Sequence, residues 1–183
     1  MEFYESLQKR RSTRKYQELI IPEDVLQRVF EAARRAPSWA NSQAVRWVVV
    51  RDWKTKSRLA ATLSPGNPST EAITKAPVVL ALCYIRNRSG FYKGKPSTPL
   101  GDWGMFDAGL AAANLTLAAA AEGLGTVHVG AIDIAAAARE LNVPDDVQLV
   151  ELIPLGYPAQ EPTPTNRLDL AKIMFADEYR RNE

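Results

Sequence analysis

The sequence predicts a β-sheet covered by helices on both faces, in a single domain spanning residues 1–183, with strands of mixed direction. Segments of helical and strand character alternate along the chain, and no internal repeat or linker marks a second unit. A length of 183 residues suits one sizeable core. With 46% apolar and 24% charged residues, the composition excludes collagen-like, disulfide-dense and wholly disordered chains.

Residues 3–10 place Phe3, Leu7 and Arg10 on one helical stripe, followed by a polar stretch rich in cations. In residues 22–36, Val25, Leu26, Val29, Phe30 and Ala33 fit a helix period, with Pro22 at the first position and Pro37 past the end. The runs 45–50 and 78–84 are β-branched and read as strands, and between them Asp52 caps a helix reaching about residue 63. Residues 86–102 carry Gly90, Gly94, Pro96 and Pro99 with Arg86, Arg88, Lys93 and Lys95, and no acid before Asp102. They read as a basic mobile loop.

Residues 106–123 hold eight alanines around Leu110, Leu115 and Leu117, a helix apolar nearly all round and so buried on several sides. The segment approaches bilayer-spanning length, but weakly apolar alanine and a central Asn114 favour a core helix. Small side chains there admit a close neighbour. Gly123 to Gly125 end it, and a strand at 126–131, a cap at Asp133, a helix at 134–142 and a strand at 147–155 follow. Residues 158–166, with three prolines, run extended before a short amphipathic stretch at 170–179. This arm, 158–183, is of the kind that packs on a partner subunit.

Several chemistries are excluded. Lysines and arginines number 23 against 21 acids, and a net charge of +2 advertises neither a nucleic-acid nor a membrane partner. Cys83 is the only cysteine and His128 the only histidine, which removes intrachain disulfides, cysteine zinc clusters and multi-His metal sites. There is no phosphate-cradling P-loop, and His128 stands where a G-x-G-x-x-G motif would need its third glycine. A Ser-His-Asp hydrolase would have to use His128, which falls inside an apolar run with no G-x-S-x-G partner, so that histidine reads as structural. The first residues lack a basic and then apolar leader, which makes the cytoplasm the expected location.

Two segments concentrate polar chemistry. Lys9-Arg10-Arg11-Ser12-Thr13-Arg14-Lys15 puts five cations and two hydroxyls into seven residues, either an anion cradle built from paired N–H donors or a solvated charged turn. Pro37-Ser38-Trp39-Ala40-Asn41-Ser42-Gln43 gathers amides and hydroxyls that can read a heterocycle edge or a polyol chain. The same residues could equally form an Asx-turn into the next strand.

Arg10-Arg11-Ser12-x-Arg14, Ala36-Pro37-Ser38-x-x-Asn41-x-Gln43, Lys75-Ala76-Pro77-Val78-Val79, Gly123-Leu124-Gly125-Thr126 and Pro154-Leu155-Gly156-Tyr157-Pro158 follow one another in order. As an ordered set this chain resembles the nitroreductase-like flavoproteins from end to end. The resemblance implies an α+β fold with a central mixed, mainly antiparallel sheet covered by helices, in an intertwined homodimer. It implies FMN held non-covalently at two sites between subunits and reduced by NADH or NADPH. Arg10, Arg11 and Ser12 would then bind the phosphate or ribityl region, Arg14 the pyrimidine side of the ring, and Arg167 the phosphate. Pro37, Ser38, Asn41 and Gln43 would come from the other subunit. Gly130 and Ala131 would offer backbone N–H groups near the flavin N5 edge, and Asn67 would contribute a ring contact. Gln43 is followed by Ala44 where the family commonly has proline.

By the same resemblance, a nicotinamide donates hydride at N5 and leaves. A small-molecule electron acceptor, such as a nitroaromatic or quinone, then takes its place. No catalytic side chain is required. A reductive dehalogenase, a flavin-consuming oxygenase, or a non-catalytic flavin- or anion-binding module are the alternatives. Residues 86–103 would be the lid, with Arg86, Arg88, Lys93 and Lys95 meeting an anionic substrate or the extra phosphate of NADPH, or else an ordinary solvated loop.

Overall fold

The computed structural model describes residues 2–179, so Met1 and the last four residues of the expected arm lie outside the described residues. The main sheet is built from β1 (Val45–Val50), β2 (Val78–Ile85), β5 (Gly125–Thr126) and β6 (Val147–Gly156). They lie in the order β1-β2-β6-β5, each neighbour antiparallel. A parallel bridge between Ser12 and Thr126 extends the edge beyond β5 and makes the sheet mixed. The short strands β3 (Phe91–Tyr92) and β4 (Lys95–Pro96) pair only with each other.

The alternation along β2 explains why both faces are covered, since successive side chains leave a strand on opposite sides. Val78, Leu80 and Leu82 enter a cluster with Leu26, Val29 and Leu115, whereas Val79, Ala81 and Cys83 enter one with Leu59, Ile73 and Leu152. A register shift opposite Leu82 and Cys83 leaves Val150 unpaired on β6. That extra residue is why Leu149 and Leu152, an odd number apart, share the second cluster.

The first cluster is closed by α2 (Glu23–Arg34) and α5 (Gly104–Ala121), the second by α3 (Trp53–Ala60), α4 (Thr70–Lys75) and α6 (Ile134–Glu140). Asp52 and Asp133 cap α3 and α6 as expected, accepting from the N–H groups of Thr55 and Ala136 at 2.8 and 2.9 Å. Pro22 lies one residue before the first helical position of α2, at its cap. The first helix, α1 (Phe3–Lys9), buries only Ser6, and Phe3, Tyr4 and Leu7 stay exposed.

α5 is an 18-residue helix of mean hydropathy 1.2, long and apolar enough to cross a membrane. Ala108, Ala112, Leu115 and Ala119 instead pack into the core with α2 and the sheet. It starts at Gly104, two residues earlier than expected, where a side chain would collide with the Tyr84 ring.

Three expectations are corrected. The strand at 126–131 is only the pair Gly125–Thr126, followed by an isolated bridge from Val129 to Leu152. The chain is drawn off the sheet because Ile132 bridges Leu63 and the Asp133 N–H donates to the Thr62 carbonyl. His128 consequently points outward and meets Glu151 at 2.8 Å. The basic segment 86–102 is folded rather than loose: it forms the β3–β4 hairpin over a fully buried Ser89. In the tail, the amphipathic stretch at 170–179 is reduced to one 3-10 turn, Leu170–Lys172, with Leu168, Leu170, Ile173 and Met174 exposed.

Candidate functional site

Residues 10–14 leave α1 as an extended segment laid along β5. The Thr13 N–H donates to the Thr126 carbonyl at 2.9 Å. The approach is close enough that any side chain on Gly125 would collide with Thr13, so glycine is required there. The Tyr16 hydroxyl donates toward the carbonyls of Thr13 and Pro154, at 2.7 and 3.1 Å, and fixes the segment's far end. Thr13 and Tyr16 are buried, while Ser12 and Arg14 are exposed on the opposite face. That open face is where the alternate side chains of the extended segment can meet a ligand.

The arginines of this segment, and Arg167 of the tail, are unneutralised. Arg28, Arg34, Arg35, Arg51 and Arg58 are each held by a carboxylate, but among the described residues Arg10, Arg11, Arg14 and Arg167 form no ion pair. Partial burial, then the charges of Arg167 and Arg11, lowers the pKa of Arg10. Such a group gains from an anion. Arg11 donates to the Arg10 carbonyl at 2.8 Å, and Arg167 to the Thr165 hydroxyl at 2.8 Å. A cleft of about 550 Å³ beside the segment takes in Arg10, Arg11 and Thr13 but neither Ser12 nor Arg14. By the alternation of the strand it lies on the reverse side.

Arg14 connects this face to the loop before α4. Its Nε donates to the Ser69 hydroxyl at 3.3 Å, and the Ser69 N–H donates to the Asn67 side-chain carbonyl at 2.9 Å. The Asn67 amide then donates to the Ala131 carbonyl at 3.4 Å, which also accepts the Ser64 N–H at 3.2 Å. Arg14, Asn67, Gly130 and Ala131 are thereby gathered, with Asn67 acting as the brace of its own loop. The amide N–H groups of Gly130 and Ala131 enter no hydrogen bond among the described residues, and both residues are exposed.

The second polar segment lies elsewhere. After α2 and the exposed Pro37, a 3-10 turn (Trp39–Asn41) leads into β1. The Ser38 hydroxyl accepts from the Gln43 N–H at 3.0 Å, and Asn41 and Gln43 are exposed. Ala40, Asn41 and Gln43 all have left-handed backbone, with φ of 43°, 54° and 49°, which disfavours non-glycine residues. The shape is imposed by Asp107 of α5, 2% exposed, which accepts from the Trp39 N–H at 3.1 Å and the Ser42 hydroxyl at 3.2 Å. A cavity of about 310 Å³ lies against this loop, lined by Phe30, Pro37, Ser38, Gln43, Trp47 and Ala111.

Asp107, Ser64 and Ser69 escaped the sequence reading. The signal for Asp107 was a lone acid near the start of an alanine-rich helix, where a buried charge needs partners. The two halves are also kept apart. Asp107 holds one near the start of α5, whereas residues 10–14 run along β5, which follows the far end of the same 18-residue helix. The two polar clusters thus stand apart within one chain. The donors suit a ligand with an anionic end and a flat polar ring: free guanidinium groups for the anion, and free amide donors and acceptors for the ring edge. FMN fits this donor set.

The sequence pattern of the Nitroreductase family matches residues 7–72 and 64–157. An NADH dehydrogenase from Thermus thermophilus is 31% identical, covering 91% of this chain and 92% of its own. An FMN reductase [NAD(P)H] from Bacillus subtilis is 30% identical, covering 97% of this chain and 74% of its own. Among solved structures, the NADPH:FMN oxidoreductase from Vibrio harveyi complexed with NAD+ superposes with a TM-score of 0.84 at 26% identity, covering 99% of this chain and 79% of its own. With the fold, the ordered motifs and the family pattern in agreement over most of its length, the chain belongs to the nitroreductase family.

Proposed function

We propose that this chain is an FMN-dependent NAD(P)H oxidoreductase that works as a homodimer, each FMN held between one protomer's Arg10 face and the other's Ser38 loop. The observation that supports this reading is the placement of two polar clusters, residues 10–14 along β5 and the 38–43 loop on Asp107, toward opposite ends of α5. The relatives' printed activities, an NADH dehydrogenase and an FMN reductase, support it.

Arg10, with Arg11, Ser12 and Arg167, binds the phosphate and ribityl end, where charge-assisted bonds are strongest. Arg14, steadied by Ser69, would hold the pyrimidine side of the ring, where its fixed positive charge would favour negative charge on the ligand. Gly130 and Ala131 offer their free N–H groups to the ring edge, with Asn67 holding that edge in place. Pro37, Ser38, Asn41 and Gln43 of the second copy close the pocket and exclude water. FMN, when bound, supplies two-electron transfer from NADH or NADPH to a nitroaromatic, quinone or similar small acceptor. The single thiol and ordinary charge suit a cytoplasmic enzyme with no nucleic-acid or membrane partner.

The test is an anaerobic absorbance titration of FMN-loaded protein. NADH or NADPH bleaches the flavin band and an added quinone or nitroaromatic restores it. Protein that stays colourless after incubation with FMN overturns the reading, and colour that no nicotinamide bleaches reduces the chain to a binding module.

A further inference from the structure

Asp107 joins two segments that the sequence treats as unrelated. Besides Trp39 and Ser42 of the loop, its carboxylate accepts from the Ser89 hydroxyl at 2.6 Å, at the base of the β3–β4 hairpin. Further contacts run in parallel. Arg88 Nε donates to the Ser42 carbonyl at 2.9 Å, and the Trp39 ring centre lies 4.9 Å from that of Trp103. The Trp103 backbone N–H in turn donates to the Ser89 carbonyl at 3.1 Å, and its ring leaves no room for a side chain on Gly90, whose φ is 79°. Loop and hairpin base are therefore one packed unit around a buried charge.

The left-handed backbone at Ala40, Asn41 and Gln43 makes this joint consequential. Those torsions are unfavourable for the free chain and persist only while surrounding contacts overdetermine them. Within the loop, the Ser38–Gln43 bond is the one side-chain brace; from outside, Asp107 holds Trp39 and Ser42, Arg88 holds the Ser42 carbonyl, and Arg46 donates to the Gln43 carbonyl at 3.0 Å.

We propose that Asp107 is a positioning residue that couples cofactor binding at the Ser38–Gln43 loop to the order of residues 87–103. A hairpin seated on Asp107 holds the loop in its binding shape. Reciprocally, FMN on the loop steadies the hairpin, because a coupling free energy acts equally in both directions. The inference rests on the proposed function, since it takes FMN to be the ligand of the loop.

Ser89→Ala tests it, because Ser89 is fully buried, small, and outside every proposed cofactor contact. The full-length protein is titrated with FMN by flavin fluorescence, and hydrogen exchange is followed with and without FMN. Losing one bond to the carboxylate is expected to raise the FMN dissociation constant about three- to tenfold. Exchange at 38–43 speeds up in the FMN-free variant. FMN still slows exchange at 10–14 but slows it less at 87–103 than in the unaltered protein. Asp107→Asn, which keeps the shape and removes the charge, moves the same readouts further, and Ser89→Ala decides alone if that variant fails to fold.

A dissociation constant changed by less than about twofold, with FMN protecting 87–103 as in the unaltered protein, overturns the coupling and leaves Asp107 a core brace. Failure of the unaltered protein to bind FMN overturns the proposed function as well, and is seen before any variant is made.

Discussion

Arg10 is a partly buried guanidinium with two other cations near it and no carboxylate in contact, an arrangement that an anionic ligand relieves. Arg10→Ala should therefore cost about 1.5–3 kcal/mol of FMN affinity, roughly ten- to a hundredfold in dissociation constant, read by fluorescence titration. Cys83 reports on the core through pH. Burial pushes its thiol from an ordinary 9.0 up to about 11, so the fold favours the neutral form. The folded pKa exceeds the unfolded one, so the stability this provides is fully present below about pH 9 and lost as pH rises through about 11. The Tyr16 phenol, also raised by burial, adds to that loss. Lys56, whose ammonium donates to the Ala76 carbonyl, is lowered by burial and opposes it. Urea midpoints should fall between pH 8 and pH 11, and fall less in Cys83→Ala. At this scale the sequence exposed the arginines, because clustered cations are visible as letters. It hid Ser64, Ser69 and Ser89, because a serine carries no mark of the distant group it meets.

Elements were legible where local chemistry decides them. The β-branched runs became β1 and β2, and Asp52 and Asp133 capped the helices they precede, since those interactions span a few residues. The strand expected at 126–131 failed because its partner lies far along the chain, and the Leu63–Ile132 bridge competes for the same backbone. The hairpin at 91–96 failed for a similar reason, since Gly90 and Gly94 read as looseness until Trp103 and Asp107 are placed against them. Close approach between elements makes one substitution informative. Gly125→Ala forces a methyl group into Thr13, and should cost about 1–3 kcal/mol by overpacking while displacing the Arg10–Arg14 face. Thermal unfolding and FMN titration should both register it. In β2, Leu80→Ala removes a fully buried side chain and should cost about 2–5 kcal/mol, read by urea unfolding, with little direct effect on the cofactor face.

For the whole molecule, the proposed sharing of the site between two copies makes complementation the decisive experiment. An Arg10→Ala protomer mixed with an Asn41→Ala protomer should form heterodimers in which one site carries both defects and the other carries none. Tight FMN binding should therefore return at one site per heterodimer, about a quarter of all sites in a randomly reassorted equal mixture, although neither variant binds well alone, and a mixture no better than its parts would place the whole site within one chain. The exposed Phe3, Tyr4 and Leu7 of α1, with Leu168, Leu170, Ile173 and Met174 of the tail, are apolar surface that a second copy would cover. Deleting the chain after residue 157 should yield monomers in sedimentation that retain little FMN. The proposed quaternary level rests on family resemblance alone, because no local pattern in the sequence says which apolar faces meet. The enclosed Cys83, 1% exposed in the middle of the sheet, also has a practical consequence. Maleimide dyes at neutral pH will pass over it, so Tyr92→Cys, on the outer rim of the hairpin, creates a uniquely addressable handle in an otherwise native background. A fluorophore attached there can follow the hairpin in real time as nicotinamide and acceptor come and go.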